Sequence, residues 1–326
     1  QVSYAGITRD GALRAKITTQ LGRTNDMVRI YYHLDYEALE DITYSRFALF
    51  QMAADRYGDN GFAQYAYGNS DGVTSDIATI DHRTTGYASP SDRGIELTGP
   101  NPWMMLYDNQ RTGDSLPEHL ANLVLVVRDY DVQLGSTRIT TPHINLRRTF
   151  NGGWSQMSFE LGIPYDPTTP VIPKGSTLKA TVEYLVPPAF KNKYYGESDY
   201  LTALDEASFQ STDMAEFLAT DNAYTVSTTV GTLLRTYPIQ IQAEPYGTAA
   251  QFEMNGGLGY TPVTFTGLAR PDGWSLERLQ DGIWTRVDQS VEGNDYWQAN
   301  YNPKTERFDL TFNIHNQEVH QYRLRH

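Results

Sequence analysis

The stretch that decides the fold runs from residue 27 to residue 76 and reads MVRIYYHLDYEALEDITYSRFALFQMAADRYGDNGFAQYAYGNSDGVTSD. Its first part alternates with period two, with one parity formed by Val28, Ile30, Tyr32 and Leu34 and the other by Arg29, Tyr31, His33 and Asp35. Such alternation is typical of a half-buried β-strand. An aromatic run over 42–52 predicts a second strand that contains Arg46. We therefore expect two strands that turn Tyr31, His33 and Arg46 away from the core.

Two segments rich in acids and amides follow these strands. Asp55, Asp59 and Asn60 lie in the first segment, and Asp71 lies in the second, at 69–72. Carboxylate and amide oxygens at short spacing are ligands of hard cations, so these four residues are candidates for a structural Ca²⁺ site. Asn-Gly and Asp-Gly pairs are also favourable turn dipeptides, and no glutamate completes a twelve-residue calcium loop. Ordinary turns and a calcium site both remain open interpretations.

Composition narrows the classes of partner and chemistry. The chain has 326 residues and a formal net charge of −13. Nucleic acids and anionic membrane surfaces are bound by basic proteins, so the charge argues against both as partners. Cysteine is absent, which excludes disulfides, thiolate metal sites and a cysteine nucleophile. No apolar run approaches the roughly 20 residues that a membrane helix needs, so we expect no membrane insertion. Because the chain begins at Gln1 and lacks cysteine, we expect a processed or excised segment of a secreted or periplasmic bacterial protein.

Strand patterns continue along most of the chain. The most apolar run, at 120–127, predicts a central buried strand, and the run at 177–186 alternates with period two. Two hairpins are indicated, one across 138–162 and one across 274–287. From 213 to 219 the pattern predicts a short helix with Asp213 as its N-cap.

Short strands separated by turn signals predict an all-β fold, here a large antiparallel β-sandwich. The pattern breaks between residues 190 and 222. We therefore predict a main sandwich at 1–222, followed at 223–326 by further sandwich strands and a small C-terminal β module. This boundary is soft, and a single domain is the alternative.

Four runs carry a resemblance to a known group of domains. They are YYHLDYEALEDITYSRFALFQ at 31–51, LANLVLVV at 120–127, ATVEYLVPP at 180–188 and GGLGYTPVTFTGL at 256–268. In architecture they resemble the supersandwich sheets of galactose-mutarotase-like domains, which accompany many polysaccharide lyases and glycoside hydrolases. The segment WSLERLQDGIWTRVDQS at 274–290 is similar to small β modules appended to such enzymes. The resemblance matches no catalytic motif, and it implies a polysaccharide or oligosaccharide partner in an extracellular or periplasmic setting.

Lyase chemistry suggests the first set of candidate residues. β-Elimination at a uronic acid needs a group that neutralises the carboxylate, a base and an acid, which Arg, His and Tyr can supply. His33 with Arg46 and His143 with Arg148 are the candidate pairs, and Tyr195 is the candidate tyrosine. A hydrolase would instead need a facing pair of carboxyl groups, and the abundant acids single out none.

Glycan binding without catalysis needs only aromatic faces and a few polar groups. The candidate substrate-binding residues are Tyr31, Trp103, Tyr107 and Tyr194, with Trp103 favoured because turn residues flank it. The sequence thus favours a polysaccharide-degrading enzyme, either lyase or hydrolase. A non-catalytic glycan-binding module of a larger enzyme is the alternative, and a structural or adhesive surface protein is the third interpretation.

Overall fold

The protein is all-β, as predicted. A computed structural model describes the whole chain except residues 1, 23–27, 58–63, 78–85, 87–91, 108–121, 152–153, 188–208, 221–223, 245, 258 and 288–296. Within the described part, the regular elements are strands β1 to β25, numbered in chain order, and one α-helix. No helix in that part is long and apolar enough to cross a membrane. The chain divides into an N-terminal unit, Val2–Thr19 with Ile30–Thr220, and a C-terminal unit, Asp221–His326 with Gln20–Arg29.

A nine-stranded sheet forms the larger layer of the N-terminal unit. Its strands, in spatial order, are β1 (Val2–Ile7), β2 (Leu13–Gly22), β3 (Arg29–Ala38), β15 (Thr177–Leu185), β10 (Leu123–Leu134), β9 (Trp103–Tyr107), β6 (Gln64–Asn69) and β7 (Gly72–Ile77), with β11 (Thr137–Ile139) paired to β10. The apolar run predicted as a central strand enters β10, where Val124, Leu125 and Val126 are fully buried. That prediction is confirmed.

A four-stranded sheet forms the second layer of this unit. It consists of β5 (Phe50–Tyr57), β13 (Trp154–Gly162), β12 (His143–Asn151) and β8 (Ile95–Glu96), while β4 (Ile42–Thr43) pairs separately with β14 (Val171–Ile172). The single strand predicted over 42–52 is therefore wrong. Tyr44, Phe47 and Leu49 all reach the core, and positions 44 and 47 have opposite parity, so one regular strand could not present them to the same side.

The core of the N-terminal unit lies between these two sheets, as side-chain alternation dictates. From the larger sheet it receives Leu34, Tyr36, Met104, Leu106, Leu125, Leu178, Ala180 and Val182, and from the smaller sheet Met52, Ile144, Leu146, Met157, Phe159 and Leu161. The opposite parity carries two of the polar candidates, His33 on the larger sheet and His143 on the smaller sheet.

Helix α1 (Ser211–Thr220) packs against β6 and β7. The predicted helix exists, but its cap is different. The backbone N–H of Gln210 donates to Asp213 Oδ2 at 2.7 Å, and the N–H of Met214 donates to Gln210 O at 3.2 Å. Asp213 is therefore the third helical residue and folds back to Gln210, which occupies the cap position, in the manner of a capping box.

The C-terminal unit contains two five-stranded sheets. One consists of β16 (Thr225–Val230), β19 (Ala249–Asn255), β25 (His320–Arg325), β21 (Ser275–Gln280) and β22 (Ile283–Arg286), and the other of β17 (Thr232–Arg235), β18 (Ile239–Gln242), β20 (Gly259–Leu268), β24 (Arg307–Asn316) and β23 (Trp297–Asn302). Phe252 and Phe265, one from each sheet, have ring centroids 5.9 Å apart, so the sheets pack face to face. The pairing of β18 with β20 is parallel, which the sequence did not indicate.

Candidate functional site

His33 lies on the face of the nine-stranded sheet opposite the core. Its Nδ1 is 3.0 Å from Thr181 Oγ1 on β15. Glu183, two residues along β15 and on the same face, forms an ion pair with Arg128, with Arg128 Nε 2.7 Å from Glu183 Oε2. Arg128 Nη1 also donates to Asn101 Oδ1 at 2.7 Å. His33 thus lies near a buried ion pair.

Arg46 lies in the loop between β4 and β5, beside the four-stranded sheet. Its Nε and Nη2 are 2.6 Å and 2.5 Å from Glu160 Oε1 on β13. Glu160 is fully buried, so its carboxylate neutralises much of the arginine charge. β3 pairs with β2 and β15 and not with β5, so the expected meeting of His33 and Arg46 does not occur.

A closed set of contacts holds the Arg46 loop on the sheet. Across the ladder, Glu160 faces Asn145, whose Oδ1 accepts a hydrogen bond from the Gly94 N–H at 2.8 Å. The neighbouring Arg93 donates to Ser45 O at 3.0 Å, and its guanidinium carbon is 3.3 Å from the centroid of the Tyr165 ring. The arginines of this region therefore serve packing and loop attachment.

His143 and Arg148 lie on opposite faces of β12, because their positions differ in parity. His143 is buried, with Nδ1 2.8 Å from Thr141 O and Nε2 3.5 Å from Glu96 Oε1. Arg148 hydrogen-bonds to the hydroxyl of Tyr65, whose pKa is raised mainly by burial. The second candidate pair is therefore not a convergent one, and Tyr195 lies outside the described residues.

Three of the four aromatic candidates are buried. Tyr31 is 1% exposed, and Trp103 and Tyr107 are 0% exposed. Trp103 Nε1 donates to Asn69 O at 3.0 Å, and the Tyr107 hydroxyl donates to Asp76. Burial and Asp76 raise the pKa of Tyr107. These placements correct the expectation of exposed rings, because β3 and β9 are both interior strands of the sheet. Tyr194 lies outside the described residues.

The candidate calcium ligands are only partly described. Asp71 is exposed in the turn between β6 and β7, where its N–H donates to Asn69 Oδ1 at 2.7 Å. Asp55 lies in β5, whereas Asp59 and Asn60 lie outside the described residues. In the part of the chain that the structure describes, no three His, Asp or Glu side chains are grouped to hold a metal ion.

A cleft of about 370 Å³ opens in the C-terminal unit. Its floor is apolar, formed by the buried Leu310 and Phe312 of β24. Its rim includes Asp272, Trp274, Ser275 and Arg286. Asp272 and Arg286 are exposed, so the rim offers one carboxylate and one guanidinium to a ligand.

The loop before β21 gives the cleft its shape. Trp274 Nε1 donates to Arg270 O at 2.9 Å, and its ring lies nearly perpendicular to the His326 ring, with centroids 5.3 Å apart. Gly273 has φ +75°, and a Cβ there would lie 2.7 Å from His326 Nε2. Glycine therefore permits both the turn and the close approach that fix Trp274.

The sequence held a signal for this cleft. Pro271-Asp272-Gly273 is a turn that leads directly to Trp274, the same arrangement that favoured Trp103. Burial distinguishes the two tryptophans, since Trp274 is only half-buried. Arg286 and the buried Glu160 had no distinguishing local pattern, because their roles arise from strand pairing.

Comparison with known proteins adds no relative. No family model matches the chain, and no curated protein is significantly similar to it. The mutarotase-like resemblance accordingly stays an expectation about architecture.

Proposed function

We propose that the chain is a glycan-binding module that acts alongside polysaccharide degradation, and that the cleft of the C-terminal unit holds the sugar. The observation that carries the proposal is the composition of this cleft. Trp274, Asp272 and Arg286 surround an apolar floor in a volume of about 370 Å³. Small-molecule sites commonly have volumes of roughly 300–1,000 Å³, with few polar groups on an apolar surface.

The chemistry of the cleft suits a pyranose ring. An indole ring packs against the C–H face of a sugar. A carboxylate accepts hydrogen bonds from the sugar hydroxyl groups, and a guanidinium donates hydrogen bonds to them. The Trp274 N–H is already used by Arg270 O, so the ring contributes apolar surface more than hydrogen bonding. Arg286 would also attract a uronic acid, whose carboxylate pairs with a guanidinium.

Binding is favoured over catalysis by what the described residues bring together. His33 lies on the nine-stranded sheet and Arg46 in a loop beside the four-stranded sheet, whereas His143 and Arg148 lie on opposite faces of one strand. Elimination requires its acid, its base and its carboxylate-neutralising group around one sugar. Binding needs no such set of three groups, and Asp272, Trp274 and Arg286 already line one cleft.

Affinity electrophoresis through a panel of neutral and uronic polysaccharides, with and without Ca²⁺, tests this proposal. We expect retardation of the native chain by at least one polymer, and loss of that retardation in Trp274→Ala and Arg286→Gln. Trp284→Ala is the matched control. Trp284 lies on β22, the strand that also carries Arg286, and the guanidinium carbon of Arg323 is 4.3 Å from the centroid of its ring. Trp284 does not line the cleft. The Trp284→Ala variant should be retarded like the native chain.

Two results would overturn the proposal. One is no retardation of the native chain by any polymer, and the other is equal retardation of Trp274→Ala. Absorbance near 235 nm and reducing ends are followed on the same polymers. A rise in both would establish a lyase, and reducing ends alone would establish a hydrolase.

A further inference from the structure

Strand β1 is an open edge of the nine-stranded sheet. It pairs only with β2 in the described part of the chain, and all six of its residues are exposed. Val2, Tyr4 and Ile7 are 66%, 61% and 57% exposed. An edge strand presents unpaired N–H and C=O groups, which are a template for another strand.

Proteins usually protect such edges with charges, prolines or a covering element, and among the described residues none of these protects β1. The β1 sequence, VSYAGI, contains no charged residue and no proline. The opposite edge of the same sheet, β7, carries Asp76 and packs against helix α1. Charge, proline or a covering element is how sheet edges avoid pairing, so the contrast marks β1 as an edge available for association.

The hydrogen-bond pattern shows which residues of β1 face outward. The Thr8 N–H donates to Leu13 O at 2.9 Å, so Thr8 and Leu13 form a hydrogen-bonded pair across the hairpin. Along an antiparallel strand, the N–H and C=O groups of successive residues point to alternate sides. Gly6 and Tyr4 therefore also direct their N–H and C=O groups toward β2. Ser3, Ala5 and Ile7 therefore direct their N–H and C=O groups away from the sheet.

We propose that β1 pairs antiparallel with β1 of a second copy of this chain, about a two-fold axis at Ala5. This register places Ala5 opposite Ala5 and Ser3 opposite Ile7, so all three outward-facing residues of each strand form hydrogen bonds. A two-fold axis normal to the sheet keeps corresponding faces together, as a self-complementary interface requires.

Side chains fit the same register. Tyr4 lies opposite Gly6 of the second copy, and no atom lies within 4 Å of the Cβ position at Gly6. An aromatic ring over a cross-strand glycine is a stabilising arrangement in sheets. No like charges are opposed, because the strand has none, and this uncharged self-complementarity favours a second copy over a charged partner.

Sedimentation velocity of the full chain at about 1–100 µM tests the pairing, a range suited to interfaces of modest size. We expect a concentration-dependent dimer. Ala5→Pro removes only an outward N–H, which an edge strand tolerates, so this variant should sediment as a monomer with an unchanged circular dichroism spectrum. A native chain that stays monomeric throughout, or a folded Ala5→Pro variant that dimerises equally, would overturn the proposal.

Cysteine cross-linking tests the register independently of proline, because the native chain has no cysteine. Paired Ala5 residues would have Cα atoms about 5.5 Å apart, within disulfide range. Ala5→Cys should therefore form a covalent dimer under mild oxidation. Lys16 pairs with Ala5 on β2, so two copies of Lys16 would lie about 14 Å apart and Lys16→Cys should remain monomeric. Equal cross-linking of both variants would contradict the assigned register.

Discussion

Glu183 and Arg128 form an ion pair in the nine-stranded sheet whose side chains are 0% and 1% exposed. Removing one partner of a buried pair leaves a desolvated charge, which costs about 3–5 kcal/mol. We expect Glu183→Gln to lower the free energy of unfolding by about this amount, because the amide cannot neutralise Arg128. Urea unfolding followed by fluorescence measures the change.

The matched control is Glu37→Gln. Glu37 pairs with Arg14, and these two side chains are 42% and 54% exposed. Exposed pairs contribute about 0–1 kcal/mol, so the urea midpoint should move little. Equal shifts for the two variants would contradict the assignment of Glu183 as the carboxylate that neutralises a buried charge.

Tyr322 makes the stability of the C-terminal unit depend on pH in the alkaline range. Burial raises the pKa of its hydroxyl to about 12 against the opposing effect of Arg278, and the hydroxyl donates to Asn316 Oδ1 at 2.6 Å. An unfolded tyrosine ionises near pH 10, so the unfolded chain releases this proton first. The stability from Tyr322 is therefore complete below about pH 10 and is lost as pH rises toward about 12, by about 2–3 kcal/mol.

Tyr322→Phe should remove this part of the pH dependence. At neutral pH it should cost about 1 kcal/mol, since the hydrogen bond to Asn316 is lost. Unfolding free energies measured in urea at about pH 8 and about pH 11.5 should therefore differ less in the variant than in the native chain. An equal fall in unfolding free energy in both proteins would show that groups other than Tyr322 cause the loss of stability at alkaline pH.

At the scale of elements, the hairpin of β21 and β22 depends on its two turn residues. Asp281 and Gly282 have φ of 51° and 77°, as a type I′ turn requires. A Cβ at Gly282 would meet nothing within 4 Å, so Gly282→Ala should destabilise only through backbone strain, by about 1–2 kcal/mol. Thermal unfolding measures the loss. Asp281→Asn should be nearly neutral because asparagine tolerates this conformation, and equal effects would argue against a conformational cause.

The elements that the sequence predicted correctly are those specified by local pattern. The hairpin between β12 and β13, the strand β15 and the hairpin between β21 and β22 follow period-two alternation and turn dipeptides. The run at 42–52 failed because three of its apolar residues reach the core from a loop, which propensity does not encode.

The candidate site was less predictable than the elements. Two residues meet in a site only after strands pair, and neither the parallel pairing of β18 with β20 nor the position of Glu160 beside Arg46 follows from local pattern. Trp103 and Trp274 illustrate the limit, because both follow turn residues and only the sheet order separates a core tryptophan from a cleft tryptophan.

At the scale of the whole molecule, charge opposes the proposed pairing of two β1 strands. Each chain carries a formal charge of −13, while β1 itself is uncharged. Like-charged copies repel over distances that salt shortens, because the screening length falls from about 20 Å at 0.02 M to about 6 Å at 0.3 M ionic strength. We therefore expect the dimer to strengthen by about tenfold over this range, as measured by sedimentation equilibrium. An interface held by ion pairs would weaken with salt instead, so a fall in association would exclude the uncharged β1 edge as the main contact.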